Sequence, residues 1–176
     1  VAFSSDSDFS IERVINIGKK HGVPVIVDAA AEFPPFSNLR RWSDMGADLT
    51  VFSGGKGICG PQSTGLVLGR QDLINACAIN SSPNHGVGRP PKVGKEQIIG
   101  LVTALELYAK ETFQDSEMRQ WGGRIDRLVE GVSHLPGLKA YSHPAPASSS
   151  ALGSGVSPEG IPVAAIEWDS NLIPKT

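Results

Sequence analysis

Two short apolar runs, at residues 23–27 and 49–52, constrain the fold of this chain more than any other feature of its sequence. Neither run alternates apolar with polar residues, as a strand with one solvent-facing side would do. Continuous apolar strands are typical of parallel sheets that helices cover on both faces. The first run directly follows a predicted helix, which Ser10 can cap and Gly22 can end. A helix followed at once by a buried strand predicts an α/β fold with a mostly parallel sheet.

The later segments continue this pattern and then change it. A short helix is predicted over residues 38–45. Residues 65–69 form a third apolar run, which follows the second too closely for a crossover helix, so we expect this strand to be antiparallel to its neighbour. Further helices are predicted at 70–79, at 95–110 and on to residue 135, and strand-like runs at 138–141 and 162–168.

Composition argues against several functional classes. The chain has 176 residues, 16 basic and 18 acidic, so it has no basic field for nucleic-acid binding. No apolar run approaches the roughly 18 residues of a membrane span, and no signal peptide is visible. The four histidines and the two cysteines have no metal-ligand spacing, so no metal site is expected. We interpret Cys59 and Cys77 as free thiols in a reducing compartment, which predicts a cytoplasmic protein.

Each of the two first apolar runs ends beside a residue that can do chemistry. Asp28 directly follows the first run, and a glycine-rich turn after the second carries Lys56. Taken singly, Asp28 could be an ordinary turn residue and Lys56 a solvated surface charge. Open α/β sheets, however, bind ligands at the carboxyl ends of their strands. An amine and a carboxylate at one such edge suit pyridoxal phosphate (PLP), with Lys56 forming the imine and Asp28 holding the ring nitrogen protonated.

Neighbouring residues fit the same hypothesis. Ser53 could donate its hydroxyl to the cofactor phosphate, and Ala30 is small enough for a ring to lie against the strand end. Arg89 and Lys92 lie in a Pro/Gly-shaped loop and could bind an anionic substrate group, although solvated basic residues would look the same. Nucleotide binding through residues 54–60 is a weaker alternative, because the phosphate-loop spacing is absent and no helix start follows.

Three blocks of the chain resemble fold-type-I PLP enzymes of the selenocysteine synthase-like group. They are VIVDAAAE at residues 25–32, FSGGK with GPQ between residues 52 and 62, and GRPPKVGKE at residues 88–96. This group includes L-seryl-tRNA(Sec) selenium transferase and D-glucosaminate-6-phosphate ammonia-lyase. The order and spacing of the blocks fit, and the resemblance extends over nearly the whole chain. One departure is Ala31, where the wider class V group often has a glutamine that hydrogen-bonds the cofactor.

The resemblance implies an activity and an assembly. It implies that Lys56 is the imine lysine and Asp28 the partner of the ring nitrogen. The full-length protein would be a lyase or transferase that removes the α-proton of a small, anionic, amino-acid-like substrate and then eliminates a β-hydroxyl. Its active site would be shared between two subunits, hence a homodimer or larger assembly. Two alternatives stay open: an aminotransferase class V or cysteine desulfurase-like activity, and a truncated non-catalytic paralogue that serves as an assembly subunit.

The resemblance also implies a domain organisation. Residues 1–110 would be the carboxyl-terminal part of a PLP-binding large domain, and residues 111–137 a long connecting helix. Residues 138–176 would be the start of a small α+β domain. On this interpretation the chain is a fragment that lacks the family's amino-terminal part, including the glycine-rich phosphate cup.

Overall fold

The computed structural model describes residues 10–144, 161–170 and 172. Its elements alternate at first and then separate into a helical and a strand region, which confirms the predicted α/β class. In chain order the described elements are α1 (Ile11–His21), β1 (Ile26–Asp28), α2 (Asn38–Met45), β2 (Leu49–Ser53), β3 (Gly65–Gly69), α3 (Gln71–Asn80), α4 (Lys95–Tyr108), α5 (Glu111–Ser133), β4 (Leu138–Pro144) and β5 (Pro162–Trp168).

Helix α1 begins and ends where its sequence predicts. The Ser10 hydroxyl accepts a hydrogen bond from the backbone N–H of Arg13 at 3.3 Å, which satisfies one of the free donors of the first turn. Gly22 ends the helix in the left-handed region at φ 65°, a conformation that glycine adopts without steric cost. The N–H of Val23 then donates to the carbonyl of Gly18 at 2.9 Å. The chain therefore turns directly from α1 towards the sheet.

The first sheet has the strand order β1-β2-β3. Strands β1 and β2 are parallel, with Ile26 opposite Leu49 and Asp28 opposite Val51. Strand β3 is antiparallel to β2, with Gly65 opposite Ser53, and this confirms the predicted orientation. Because β1 and β2 run in the same direction, their carboxyl ends meet at one edge of the sheet.

The core lies on one face of this sheet. Val27, Thr50 and Phe52 share that face, and the ring of Trp42 from α2 lies 5.9 Å from the ring of Phe52. On the opposite face Ile26 remains 62% exposed and Val67 42% exposed. The expectation that the first apolar run is buried on both faces was therefore wrong for the described residues.

The first strand is also shorter than predicted. Pro24 has no N–H to donate, and the N–H of Val25 donates to the carboxylate of Asp48 at 2.7 Å instead of to a neighbouring strand. The strand consequently begins at Ile26 rather than at Val23, whose side chain is exposed. Side-chain hydrogen bonding by a residue 23 positions away decided this boundary, which a local sequence pattern does not reveal.

Helices α4 and α5 link the two sheets. Leu101 and Tyr108 of α4 are buried against the core of the first sheet. Helix α5 packs on the antiparallel pair β4–β5, whose register runs from Leu138 opposite Trp168 to Pro144 opposite Pro162. Among the described helices, none combines the length and the apolar composition that a bilayer-spanning helix requires.

Candidate active site

Two of the predicted site residues are the last residues of the parallel strands. Asp28 ends β1 and Ser53 ends β2, and the register places Asp28 opposite Val51, two residues before Ser53. Asp28 and Ser53 therefore lie on the same face and at the same edge of the sheet. This juxtaposition follows from parallel pairing, as the sequence predicts.

The Asp28 carboxylate is held by the turn that follows its strand. Its Oδ1 accepts a hydrogen bond from the N–H of Ala30 at 3.0 Å, while the carboxylate stays exposed. Ala29 between them is fully buried, and its N–H donates to the carbonyl of Val51 at 2.9 Å. The backbone that follows the carboxylate is thus held at residues 29 and 30, with a small residue at position 30.

Lys56 lies in a tight turn that closes on itself by hydrogen bonds. The N–H of Gly60 donates to the carbonyl of Gly54 at 2.7 Å, and the N–H of Cys59 to the carbonyl of Lys56 at 2.8 Å. Cys59 adopts φ 58°, a left-handed conformation that costs a non-glycine residue about 1 kcal/mol. Such local strain persists only where the surroundings fix the backbone. The Lys56 side chain is exposed, but the backbone to which it is attached is therefore fixed.

The glycines of this turn allow other parts of the chain to approach it. A Cβ atom on Gly57 would collide with the carbonyl oxygen of Phe33, and one on Gly54 would collide with the side chain of Thr64. The turn is thereby packed against the segment that follows Asp28. The sequence predicted close approach at these glycines, but it named a cofactor as the neighbour, and this part stays a prediction.

Three residues support the turn in roles that the sequence did not predict: Phe33, Gln62 and Thr64. Phe33 supplies the carbonyl that touches Gly57. The Gln62 amide donates to the carbonyl of Gly55 at 3.2 Å, and the buried Thr64 hydroxyl donates to the carbonyl of Pro61 at 2.6 Å. The run of glycines indicated close packing, but nothing in the local pattern indicates which residue fills the space.

Arg89 and Lys92, the predicted substrate-binding residues, lie in the loop that precedes α4. The guanidinium of Arg89 donates to the carbonyl of Pro83 at 2.7 Å within its own loop, and Lys92 is exposed. This loop leads into α4, where Gly100 lies against Pro61 and Leu101 against the Lys56 turn. Lys95 precedes Leu101 by six residues, about 9 Å along the helix axis. The hydrogen bonds of the described residues do not join Arg89 or Lys92 to the Asp28 edge.

Two ionisable groups near the turn have altered proton affinity. Burial raises the pKa of Glu32, which is half-buried, although the positive charge of Arg41 opposes the change. Burial also raises the pKa of the Tyr108 phenol above its usual range, and the thiol of Cys59 at 3.8 Å adds to this. Tyr108 therefore stays protonated at physiological pH, and its ring packs edge-on against Phe33 at 4.8 Å. Both groups flank the Phe33 contact with the turn.

A small apolar cavity of about 70 Å³ lies beside this region, lined by Pro34, Pro35, Tyr108, Glu117, Met118, Trp121 and Ile161. Ligand pockets usually measure about 300–1,000 Å³, so this cavity is too small for a coenzyme. Within the described residues no group of three or more metal-ligating side chains is found. The candidate site is the sheet edge at Asp28 together with the Lys56 turn, because of the residues that the parallel strands bring together there.

Comparison with known proteins places this site in a family. Residues 8–156 match the aminotransferase class-V family. The chain belongs to the aminotransferase class-V family. A 5'-C-glycyluridine monooxygenase-decarboxylase from Streptomyces sp is 41% identical over 130 residues, which cover 74% of this chain and 30% of that protein. The D-glucosaminate-6-phosphate ammonia lyase of Salmonella typhimurium is 34% identical over 131 residues, covering 74% and 32%.

More distant relatives agree. An L-seryl-tRNA(Sec) selenium transferase from Aquifex aeolicus is 27% identical over 153 residues, covering 75% of this chain and 32% of that protein. A solved structure of D-glucosaminate-6-phosphate ammonia-lyase superimposes with a TM-score of 0.63 at 26% identity, over 96% of this chain and 39% of that one. The chain thus spans about a third of the length of the relatives it matches.

These similarities confirm the predicted family resemblance and the predicted cofactor class. The relatives named above are a monooxygenase-decarboxylase, an ammonia lyase and a selenium transferase, and the family match supports a PLP-dependent enzyme. The residues of this class-V chain fit such a cofactor: Asp28 and Ser53 end neighbouring parallel strands, the exposed Lys56 follows Ser53 by three residues, and the small Ala30 adjoins Asp28. The roles of the individual side chains stay predictions.

Proposed function

We propose that the full-length protein is a PLP-dependent lyase or transferase that acts on a small amino-acid-like substrate. The observation that carries this proposal is the parallel register of β1 and β2, which sets Asp28 and Ser53 on the same face at the edge of the sheet from which the Lys56 turn leaves. A solvated surface lysine would need neither the crowded glycine turn nor a carboxylate at the neighbouring strand end.

Each side chain of this edge has a distinct task in the proposal. Lys56 would supply the amine that holds the cofactor covalently and, in its free form, would remove the α-proton of the substrate. The Asp28 carboxylate, whose Oδ1 accepts a hydrogen bond from the N–H of Ala30, would hold the proton on the ring nitrogen. Ser53 would donate its hydroxyl to the phosphate, and Ala30 would leave room for the ring. The bound cofactor would act as an electron sink for the carbanion formed at the substrate.

The substrate part of the proposal is coarser. The relatives' names mention a glycyl nucleoside, an amino sugar acid phosphate and a seryl-tRNA, and these share an amino-acid-like part. We propose loss of a β-substituent, with Arg89 and Lys92 binding an anionic group of the substrate. The net charge of −2 supports a small molecule rather than a nucleic acid as the partner of this segment.

Replacement of Lys56 by alanine tests the cofactor site. Incubation with PLP followed by borohydride reduction should label the protein at Lys56, and Lys56→Ala should remove that label. Lys139→Ala, an exposed lysine on β4, is the matched control and should label like the wild type. Mass-spectrometric peptide mapping measures the site. An unlabelled Lys56 in the full-length wild-type protein would overturn the proposal and favour a non-catalytic assembly subunit.

We further propose a cytoplasmic homo-oligomer. Cys59 and Cys77 are both exposed and unpaired, which is typical of a reducing compartment. Helix α4 turns Leu101 inwards, yet Ile98, Ile99 and Val102 are about half exposed or more. An exposed apolar surface of this kind supports protein–protein contact.

A further inference from the structure

Both peptide units that flank Lys56 are hydrogen-bonded. The carbonyl of Lys56 accepts from the N–H of Cys59 at 2.8 Å, and the carbonyl of Gly55 accepts from the side-chain amide of Gln62 at 3.2 Å. The carbonyl of Gly55 and the N–H of Lys56 belong to the same planar peptide unit. Fixing the direction of that carbonyl therefore limits where the Cα atom of Lys56, and with it the base of its side chain, can lie.

Packing holds Gln62 in place for this task. A Cβ atom on Gly55 would lie 2.6 Å from the Cα atom and 2.8 Å from Oε1 of Gln62, so the glutamine lies directly against the glycine. Gln62 itself follows Pro61, which contacts Gly100 of α4. The donor is thus anchored on a helix, although the glutamine side chain is exposed.

We propose that Gln62 is a positioning residue for the amine of Lys56. Gln62 acts through the peptide unit between Gly55 and Lys56 and does not itself touch the cofactor or the substrate. This inference rests on the proposed function, since it assigns a supporting residue to the same lysine. Small displacements of a reacting group reduce its effectiveness, and supporting hydrogen bonds limit such displacements.

Substitution of Gln62 by methionine tests this role, because methionine has a similar length and lacks the N–H donor. Gln71→Met is the matched control: Gln71 is also exposed, and its amide donates to Asn75 on α3 at 2.8 Å, away from the turn. The full-length protein is titrated with PLP, reduced with borohydride and mapped, and the fraction labelled at Lys56 is compared with that at the other lysines. Hydrogen exchange at the backbone N–H of Cys59, which donates to the carbonyl of Lys56, is measured without cofactor.

In Gln62→Met we expect about five-fold weaker labelling of Lys56, the factor that one hydrogen bond of ordinary strength supplies. Labelling of the other lysines and the melting temperature should stay unchanged, and exchange of the Cys59 N–H, which closes the turn on the Lys56 carbonyl, should become faster. Gln71→Met should behave like the wild type in every measurement. A global loss of structure would instead weaken all signals together.

Two other results have separate meanings. Equal Lys56 labelling in Gln62→Met and the wild type would overturn the positioning role and leave the proposed function intact. A full-length wild-type protein without a label at Lys56 would overturn the proposed function. The exchange rate would then decide the role of Gln62, because an unchanged rate at the Cys59 N–H would overturn it as well.

Discussion

The side chain of Asp48 joins two segments of the chain beside the first sheet by hydrogen bonds. Its Oδ2 accepts the N–H of Val25 at 2.7 Å, and its Oδ1 accepts the guanidinium of Arg70 at 2.6 Å. The side chain is only 16% exposed. The Val25 hydrogen bond, followed by the Arg70 contact, lowers the pKa of Asp48 below its ordinary value of 3.8. The carboxylate thus ties the residues before β1 to the segment between α2 and β2.

Asp48→Asn should destabilise the protein by about 2 kcal/mol at pH 7, since the amide has an NH₂ donor in place of one of the two acceptor oxygens and lacks the charge that strengthens both hydrogen bonds. The folded pKa is depressed, so the wild-type advantage is complete above pH 3.8 and declines as the pH falls further. The gap between the two proteins should therefore narrow below about pH 4. Urea unfolding at several pH values measures this gap.

Asp44→Asn is the control for this substitution. Asp44 lies 3.9 Å from Arg40, and both side chains are largely exposed. An exposed i,i+4 pair contributes less than about 0.5 kcal/mol, so this variant should unfold nearly like the wild type. Equal losses in Asp44→Asn and Asp48→Asn would contradict the role assigned to the Val25 hydrogen bond.

Single residues differ in how far the sequence reveals them. Asp28 and Lys56 could be found because each follows an apolar run, and parallel pairing then sets their strand ends at one edge. Gln62 and Phe33 could not be found, because their roles depend on contacts between segments that only the folded chain brings together. Glu32 is an intermediate case, since the sequence offers the carboxylate but not the half-buried setting that raises its pKa.

The element that most constrains the site is the Lys56 turn, and Gly57→Ala tests its packing. The added methyl group would collide with the carbonyl of Phe33, so we expect a loss of about 1–3 kcal/mol in stability and weaker labelling of Lys56. Gly122→Ala in α5 is the control, because a Cβ atom there meets nothing within 4 Å. That variant should gain up to about 1 kcal/mol from helix propensity. Thermal unfolding of both variants measures the contrast.

Elements were predicted best where their signals are local. The cap at Ser10 and the stop at Gly22 bound α1 as the sequence predicts. The start of β1 was wrong by three residues, because Pro24 lacks an N–H and Asp48 captures the N–H of Val25. The antiparallel β3 was predicted from loop length alone, since a short connection leaves no room for a crossover.

At the scale of the whole molecule, the exposed apolar surface of α4 yields a prediction about assembly. If this surface forms the subunit contact, Ile99→Arg should lower the apparent mass from an oligomer to a monomer, because an uncompensated charge is costly in an apolar interface. Ile99 is 67% exposed in the single chain, so stability of the isolated subunit should hardly change. Light scattering coupled to gel filtration measures the mass.

The predicted domain organisation places boundaries at residues 110 and 137. The agreement with the ammonia-lyase structure over 96% of this chain supports the order of the elements. It leaves the expected division at residues 110 and 137 as a prediction. The second sheet, β4–β5, contacts α5, which fits a connecting helix at that position.

Because β1 pairs in parallel with β2, the number of residues from Gly22 to Asp28 determines on which face of the sheet Asp28 lies. Side chains alternate between the two faces of a strand, so inserting or deleting one residue within β1 would turn the carboxylate towards the core face of the sheet. Substitutions in this stretch can preserve the chemistry of the site as long as the number of residues is unchanged. A change of length by one residue would instead remove the Asp28 carboxylate from the site.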